Sequence, residues 1–246
     1  MTIGSNLIFI KSLPSTNTYA SELAKSNDLP EGTIVYTNYQ SAGRGQMGNH
    51  WESEEGKNLL ISVILYPTLV SPADQFILSM IISLGICDFL KRYLPACSIK
   101  WPNDIYIGND KIAGILIENT IMGDQIENTI SGIGLNINQQ IFTSGTPNPV
   151  SLSLITGENY DLTTCLNQLS SDLDNRYTQL IPEDHNQIRQ EYISHLYRIN
   201  GWYDFRDLNG VFSGRIKSVT PDGRLHIETR AGNINVYSFN EIDFIL

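Results

Sequence analysis

The segment Gln40-Ser41-Ala42-Gly43-Arg44-Gly45-Gln46-Met47-Gly48-Asn49-His50-Trp51 constrains this chain more than any other. Three glycines stand at Gly-x-Gly-x-x-Gly spacing, with an arginine between the first two and a tryptophan just after. Glycine lets a backbone turn tightly and bring its N–H groups close to a phosphate, with no Cβ in the way. A dinucleotide fingerprint would need a strand before this loop, a helix opening at the glycines and an acidic residue ~20 positions on. Residues 33–39 supply the strand. The helix is missing, because residues 49–58 carry no apolar stripe and the next apolar run, Leu59–Leu65, has strand length. The loop therefore joins two strands, which disfavours a nucleotide-binding oxidoreductase. A merely solvated hairpin loop would gain nothing from Arg44 and Trp51.

The rest of the chain reads as a mixture of strands and helices. Residues 6–13 form a short strand. Ser15-Thr16-Asn17 offers N-caps for a helix to about residue 26, with Tyr19, Ala20, Leu23 and Ala24 as its stripe. Leu59–Leu65 reads as a strand buried on both faces. A helix from Ser71-Pro72-Ala73-Asp74 to about residue 94 is apolar nearly all round and forms the central core helix. Residues 98–101 form a strand stopped by Pro102. A hairpin follows, with strands at 105–107 and 112–117 around Gly108-Asn109-Asp110. A turn at Met122-Gly123-Asp124 leads to a strand over 128–138. A glycine- and proline-rich loop at 145–149 precedes helices at 162–180 and 184–197. After Trp202 come short strands with turns at Asn209-Gly210, Pro221-Asp222-Gly223 and Ala231-Gly232-Asn233. The expected fold class is α+β: a mixed β-sheet packed with helices over 1–199, then a small antiparallel β-barrel over 200–246. A barrel of roughly 45 residues is marginal alone and should lean on the larger unit.

Charge and composition narrow the function classes. A formal net charge of −10 argues against general nucleic-acid binding, whose footprint is basic. Cys87, Cys97 and Cys165 are odd in number and lack Cys-x-x-Cys spacing, which fits reduced thiols in a cytoplasmic protein. The N-terminus lacks the basic and apolar segments of a signal peptide. The most apolar stretch, Phe76–Leu90, is shorter than the ~20 residues of a membrane span.

Beside the glycine loop, three further constellations are candidates for chemistry. Lys100-Trp101-Pro102-Asn103-Asp104 faces Lys111-Ile112-Ala113-Gly114 across the hairpin. Strand alternation sets Lys100 on the face opposite Ile99 and Trp101. Lysines on adjacent strands repel unless an anion lies between them, and opposite charges ~4 Å apart near a surface attract by roughly 4 kcal/mol. Asn103 and Asp104 supply hard oxygens of the kind Mg²⁺ accepts. Read blandly, the same residues are an ordinary hairpin with solvated lysines, and this motif alone leaves both readings open. Ser15-Thr16-Asn17 is fully explained by capping. Gly132-Ile133-Gly134-Leu135-Asn136-Ile137-Asn138 sets glycines inside a strand, which marks close approach by a ligand or backbone, or a bulge. The four histidines show no metal-ligand spacing.

Taken together and in order, these motifs resemble the biotin–protein ligases. The resemblance rests on Ser15-Thr16-Asn17, Gln40 with Gly43-Arg44-Gly45, Trp51, Lys100 to Asp104, Lys111 to Gly114 and Gly132 to Asn136, and it extends over the whole chain, terminal barrel included. It implies a catalytic domain like that of class II synthetases. The activity it implies has two steps: biotin and MgATP form biotinyl-5′-AMP and pyrophosphate, then biotin passes to one lysine of a biotin carboxyl carrier protein. Such chemistry gathers anions, so charge neutralisation and positioning dominate. By resemblance Lys100, Arg44 and Lys111 are catalytic. Ser15, Thr16, Asn17, Gln40, Gly43, Arg44, Gly45, Lys100 and Gly114 would contact biotin. Arg44, Gly45, Trp51, Asn103, Lys111 and Asn136 would contact the nucleotide, and Asp104 would support Mg²⁺.

Two departures stand out. Family members often carry arginines where this chain has Gln46 and Asn49, leaving Arg44 as the loop's cation. Some members also carry an N-terminal helix-turn-helix. This sequence starts at the first catalytic strand, so no operator DNA is expected; its apolar stretches are too short to expect a membrane partner, and the resemblance allows a homodimer. A lipoate–protein ligase shares the implied fold, but lipoate has no ureido head to match polar residues at 15–17 and 40. A non-catalytic biotin sensor would not need both Lys100 and Lys111.

Overall fold

The computed structural model describes residues 2–25, 29–143, 148–181 and 184–245. The predicted 145–149 loop therefore lies largely outside the described residues. The first sheet has seven strands: β1 (Leu7–Leu13), β2 (Thr33–Gln40), β3 (Leu59–Leu65), β4 (Ser98–Lys100), β5 (Asp104–Ile107), β6 (Asp110–Met122) and β7 (Gln125–Leu135). Their spatial order is β1-β2-β3-β7-β6-β5-β4. Only β1 and β2 pair in parallel, so the sheet is mixed.

β3 is buried along its whole length. Leu59, Ile61, Val63 and Leu65 face the main core, while Ile64 meets a smaller cluster under α1 (Thr16–Ala24). Ser15 caps α1 as expected, accepting from Thr18 N. The main-core face is covered by α2 (Phe76–Leu90). α3 (Leu152–Thr156), α4 (Leu162–Tyr177) and α5 (His185–Ser194) follow it in the chain, with α4 and α5 packed on α2. The continuous helix expected over 71–94 is instead a 3-10 turn, Pro72–Asp74, followed by α2. The short α3 was not anticipated, and α4 and α5 end earlier than their apolar patterns suggested.

The C-terminal residues form a second sheet: β8 (Tyr203–Asp207), β9 (Gly210–Val219), β10 (Leu225–Thr229), β11 (Ile234–Tyr237) and β12 (Asp243–Phe244). All its pairs are antiparallel, in the order β11-β10-β9-β8-β12. The predicted turns at 221–223 and 231–233 fall between strands, while that at Asn209-Gly210 is shifted by one residue, Gly210 opening β9. The expected barrel is corrected to an open sheet, since β11 and β12 do not pair among the described residues. With two edges left, it leans on the larger unit. Trp101 Nε1 donates to Gly223 O at 2.8 Å, and Phe239 packs on Phe76 and Trp101. Phe205, Ile216, Leu225 and Ile227 belong to the same apolar cluster as α2. No described helix is long and apolar enough to cross a membrane.

Candidate active site

A cavity of about 590 Å³ opens at the N-terminal end of α1, with the central strands of the first sheet as its floor. Nearly every residue singled out in the sequence lines it: Ser15, Thr16, Asn17, Gln40, Arg44, Gly45, Trp51, Lys100, Asn103, Asp104, Lys111, Gly114 and Asn136. Gly43 does not. It stands behind the wall, where a Cβ would lie 2.5 Å from Trp51 O, and it accepts from Trp51 N at 3.0 Å.

Strand register assembles this floor. Leu60, Gly134, Gly114, Asp104 and Lys100 are successive partners across β3, β7, β6, β5 and β4. Residues in one such row share a face. Two glycines thus lie beside the charged pair. Lys111 is three residues from Gly114 and would point to the other face of a regular strand. A bulge between β5 and β6 pairs Ile105 with Ala113 but Tyr106 with Lys111, turning Lys111 back toward the cavity.

At the end formed by α1 and β2, hydrogen bonds hold each polar side chain in place. Gln40 Oε1 accepts from Thr16 N (2.7 Å) and Thr16 Oγ1 (3.1 Å), so its Nε2 faces away as a donor. Asn17 Nδ2 donates to Leu116 O (3.1 Å) and Glu118 Oε2 (2.9 Å), which fixes the amide orientation. Ser62 Oγ reaches both Asn17 Oδ1 (2.6 Å) and Thr16 Oγ1 (2.8 Å). Gly132 is required here, since a Cβ would sit 2.2 Å from Asn17 Oδ1. Each oxygen has a second lone pair, so acceptors stand beside the Gln40 donor. This suits a planar group carrying both N–H and C=O.

The other end is cationic. Lys100 Nζ donates to Tyr106 Oη at 3.1 Å and stands 5.1 Å and 5.6 Å from the Tyr106 and Phe244 ring centres. Burial, with help from Lys111 and Arg198, lowers its pKa below the usual 10.5, against the pull of Asp104 and Asp243. Asp104 pairs with Lys111 at 2.7 Å, both largely buried. Lys100 and Lys111 share this end with two carboxylates, Asp104 and Asp243; Asp104 is paired to Lys111, which leaves the Lys100 ammonium to meet an anion. Burial also raises Tyr106, keeping its hydroxyl neutral. Asn103 Nδ2 donates to Ile115 O at 2.6 Å, so its amide is committed to the sheet. Asn136 Nδ2 donates to Val150 O at 3.0 Å, while its Oδ1 is buried with no partner.

No cluster of three or more His, Cys, Asp or Glu residues suited to a metal occurs among the described residues. Mg²⁺ in nucleotide sites takes only one or two protein carboxylates, with phosphates and water completing its octahedron. Asp104 and the orphaned Asn136 Oδ1 are hard oxygens that fit such a sparse set.

Between the two ends lies Trp51. Its indole rests on bare backbone: a Cβ would come within 2.3 Å of it at Gly134 and 2.8 Å at Gly114. Lys111 Nζ stands 5.6 Å from the ring, and Trp51 Nε1 is buried without a partner. The glycine loop folds over this region as a strand-to-strand cover, with an Arg44–His50 bridge, a 3-10 turn at Gln46–Gly48 and Gly45 N donating to Asn49 O at 2.7 Å. The Arg44 guanidinium is committed to Glu118 (Nη2–Oε1 2.5 Å, Nη1–Oε2 3.3 Å).

Several lining or supporting residues escaped the sequence reading. Ser62 had a usable signal, as the lone polar residue in an apolar strand. Tyr106 and Glu118 had none beyond ordinary strand alternation. Asp243 and Phe244 of β12, with Asn240 and Ile242 from the connection before it, complete the wall beside Lys100.

Comparison with known proteins adds family evidence. The model of the biotin/lipoate A/B protein ligase family matches residues 9–136. The bifunctional ligase/repressor BirA of Bacillus spizizenii is 32% identical over 243 residues, covering 96% of this chain and 73% of that protein. The biotin–[acetyl-CoA-carboxylase] ligase of Paracoccus denitrificans is 28% identical over 89% of this chain and 92% of its own length. In fold, the chain is similar to a biotin protein ligase from Aquifex aeolicus solved with biotin and ATP. That match has a TM-score of 0.79 and 24% identity, over 97% of this chain and 98% of that one.

Proposed function

The chain belongs to the biotin/lipoate A/B protein ligase family, and from that premise we propose that it is a biotin–protein ligase, an enzyme forming a carbon–nitrogen bond. A biotin carboxylate oxygen attacks the α-phosphorus of ATP, the bond to the bridging oxygen breaks, and pyrophosphate leaves. The ε-amine of a carrier lysine then attacks the activated carbonyl carbon, AMP leaves, and the amine loses a proton.

Ser15, Thr16, Asn17 and Gln40 hold the ureido head. Lys100 faces the reacting carboxylate and α-phosphate, where negative charge concentrates in the transition state. Lys111 meets the remaining phosphate oxygens, exchanging its partner Asp104 for them. Asp104 and Asn136 would hold Mg²⁺, which supplies charge neutralisation on the phosphates. Trp51 offers the adenine a flat apolar surface. Gly114 leaves room for the Trp51 indole and Lys111 beside the ligand, Gly45 lets the loop close on Asn49, and the cover over 43–51 keeps water from a reactive mixed anhydride. Asn103 anchors the turn into β5. Gly43 acts indirectly, by leaving room for Trp51.

The observation that carries the reading is the pairing of two dissimilar ends in one cavity: fixed donors and acceptors at Asn17 and Gln40, and lysines at 100 and 111. The polar end favours biotin over lipoate, whose dithiolane has nothing to pair with it. The test is incubation with MgATP, biotin and a carrier domain, read by streptavidin blot. Label on the carrier lysine supports the proposal, while transfer of lipoate alone overturns it. The proposed division is a catalytic unit over 1–199 and a supporting unit over 200–246. The proposed partner is a carboxylase's carrier domain in the cytoplasm. An acidic chain disfavours DNA, and light scattering would decide whether it dimerises.

A further inference from the structure

Glu118 ties the cover of the site to its polar end, and its geometry reassigns Arg44. Its carboxylate receives three hydrogen bonds from two distant segments. Asn17 Nδ2, at the first turn of α1, reaches Oε2 at 2.9 Å. Arg44, in the glycine loop, reaches Oε1 at 2.5 Å and Oε2 at 3.3 Å, and its Nη1 also lies 3.4 Å from Thr18 Oγ1. A two-pronged arginine–carboxylate contact fixes direction as well as distance. Asn17 is itself buried and held from both sides of its amide, Nδ2 donating to Leu116 O and Oδ1 accepting from Ser62 Oγ, in the space left by Gly132. The loop is thus latched to a rigid point of the floor, beside the atoms proposed to hold the ligand head.

We propose that Glu118 is a positioning residue and that Arg44 acts as the latch of the loop, not as a phosphate ligand. The phosphate charge then falls to Lys100 and Lys111. Both latch groups are roughly half exposed (47% and 36% for the two side chains), so solvent screening keeps the latch weak. Weakness suits a cover that must open to admit ATP and again for the carrier lysine. The link through Asn17 gives the polar end a way to steady the loop. A ligand that orders the Asn17 amide also orders the carboxylate that Arg44 grips. This role rests on the proposed ligase reading, whereas the Arg44–Glu118 contact is defined by geometry alone, whatever the substrate.

The test is a double-mutant cycle of Arg44→Met and Glu118→Gln with two readouts. The first is hydrogen exchange over residues 43–51 in the ligand-free protein. A latch requires that each single variant exchange about threefold to tenfold faster there, and that the double variant be no faster than the faster single. Exchange unchanged in Glu118→Gln overturns the proposal, whatever the enzyme's substrate. The second is release of biotinyl-5′-AMP from the purified complex. A latch predicts faster release in both singles, again without additivity. If Arg44 gripped phosphate instead, Glu118→Gln would free it and release would slow, which also overturns the proposal. Failure of the wild type to form any adenylate would count against the ligase reading and leave the exchange experiment decisive for the latch.

Discussion

Trp51 and Gly134 are in direct contact, indole against backbone: a Cβ on Gly134 would lie 2.3 Å from Trp51 Cε2. No rotamer of a small side chain relieves so short a distance, so one of the two must move. Gly134→Ala should push the indole off the floor and raise the KM for ATP at least about tenfold, or ~1.4 kcal/mol. Biotin affinity should change by less than about twofold, because the Asn17 end lies two residues along the strand. Titration of each substrate, with tryptophan fluorescence as the structural readout, checks the split. Equal weakening of both ligands would contradict it.

Lys100 is a half-buried ammonium that forms no salt bridge among the described residues. Lys100→Ala should slow adenylation by well over tenfold, or more than ~1.4 kcal/mol, measured as pyrophosphate release. A near-normal rate would remove Lys100 from the mechanism.

The pH dependence of Lys100 has a distinctive sign. Burial holds its folded pKa below 10.5, so the charged form is lost at lower pH than for an exposed lysine. Adenylation should decline as pH rises through that depressed value. Stability should move the other way. Between the folded and unfolded pKa values the unfolded chain binds more protons, so this group's contribution to stability rises with pH. Adenylation rate and urea midpoint, followed together on the alkaline side, should diverge in wild type and lose that divergence in Lys100→Met.

Arg176 joins three elements. It contacts Asp88 of α2 at 2.5 Å and Glu191 of α5 at 2.7 Å, itself largely buried. Burial opposes ionisation of Asp88, but hydrogen bonds from Arg176 and Lys91 outweigh it and hold its pKa below 3.8. The Arg176 hydrogen bond likewise lowers Glu191 below 4.5, with burial opposing. Stability from both carboxylates is present above their unfolded values and is lost as pH falls through the depressed folded ones. Arg176→Met should therefore lower the urea midpoint at pH 7, by about 2–3 kcal/mol of stability. The deficit should shrink below about pH 4, where wild type loses the same interactions. A deficit constant with pH would place the effect in packing instead.

Gln46 lines the cavity within the loop's 3-10 turn, at a position where the resemblance to biotin–protein ligases leads to the expectation of an arginine. Gln46→Arg should add a cation facing the adenylate and slow its release from the purified complex. Unchanged release would show that position 46 does not face the phosphate.

Much of this was legible from local chemistry. Leu59–Leu65 was readable to the residue because a strand buried on both faces is a continuous apolar run with polar ends. Ser15 as a cap, and the turns around Gly210, Gly223 and Gly232, follow from side-chain and backbone preferences spanning a few residues. Where the tertiary environment competes, the local reading drifted. The apolar pattern near Pro72 continued into α2, yet the chain makes a separate 3-10 turn there, with Asp74 paired to Arg189.

The sequence by itself determined the residue types of the site: polar groups at 15–17 and 40, lysines at 100 and 111, and bare glycines at 114, 132 and 134. Only the tertiary structure decided how they face one another. The row from Leu60 through Gly134, Gly114 and Asp104 to Lys100 depends on the register of five strands. A bulge turns Lys111 to the same side. Phe244 arrives from a second sheet, and Arg44 meets Glu118 across 74 positions of chain. Register, bulges and long-range pairs are set by packing between segments far apart in sequence, so no local pattern encodes them.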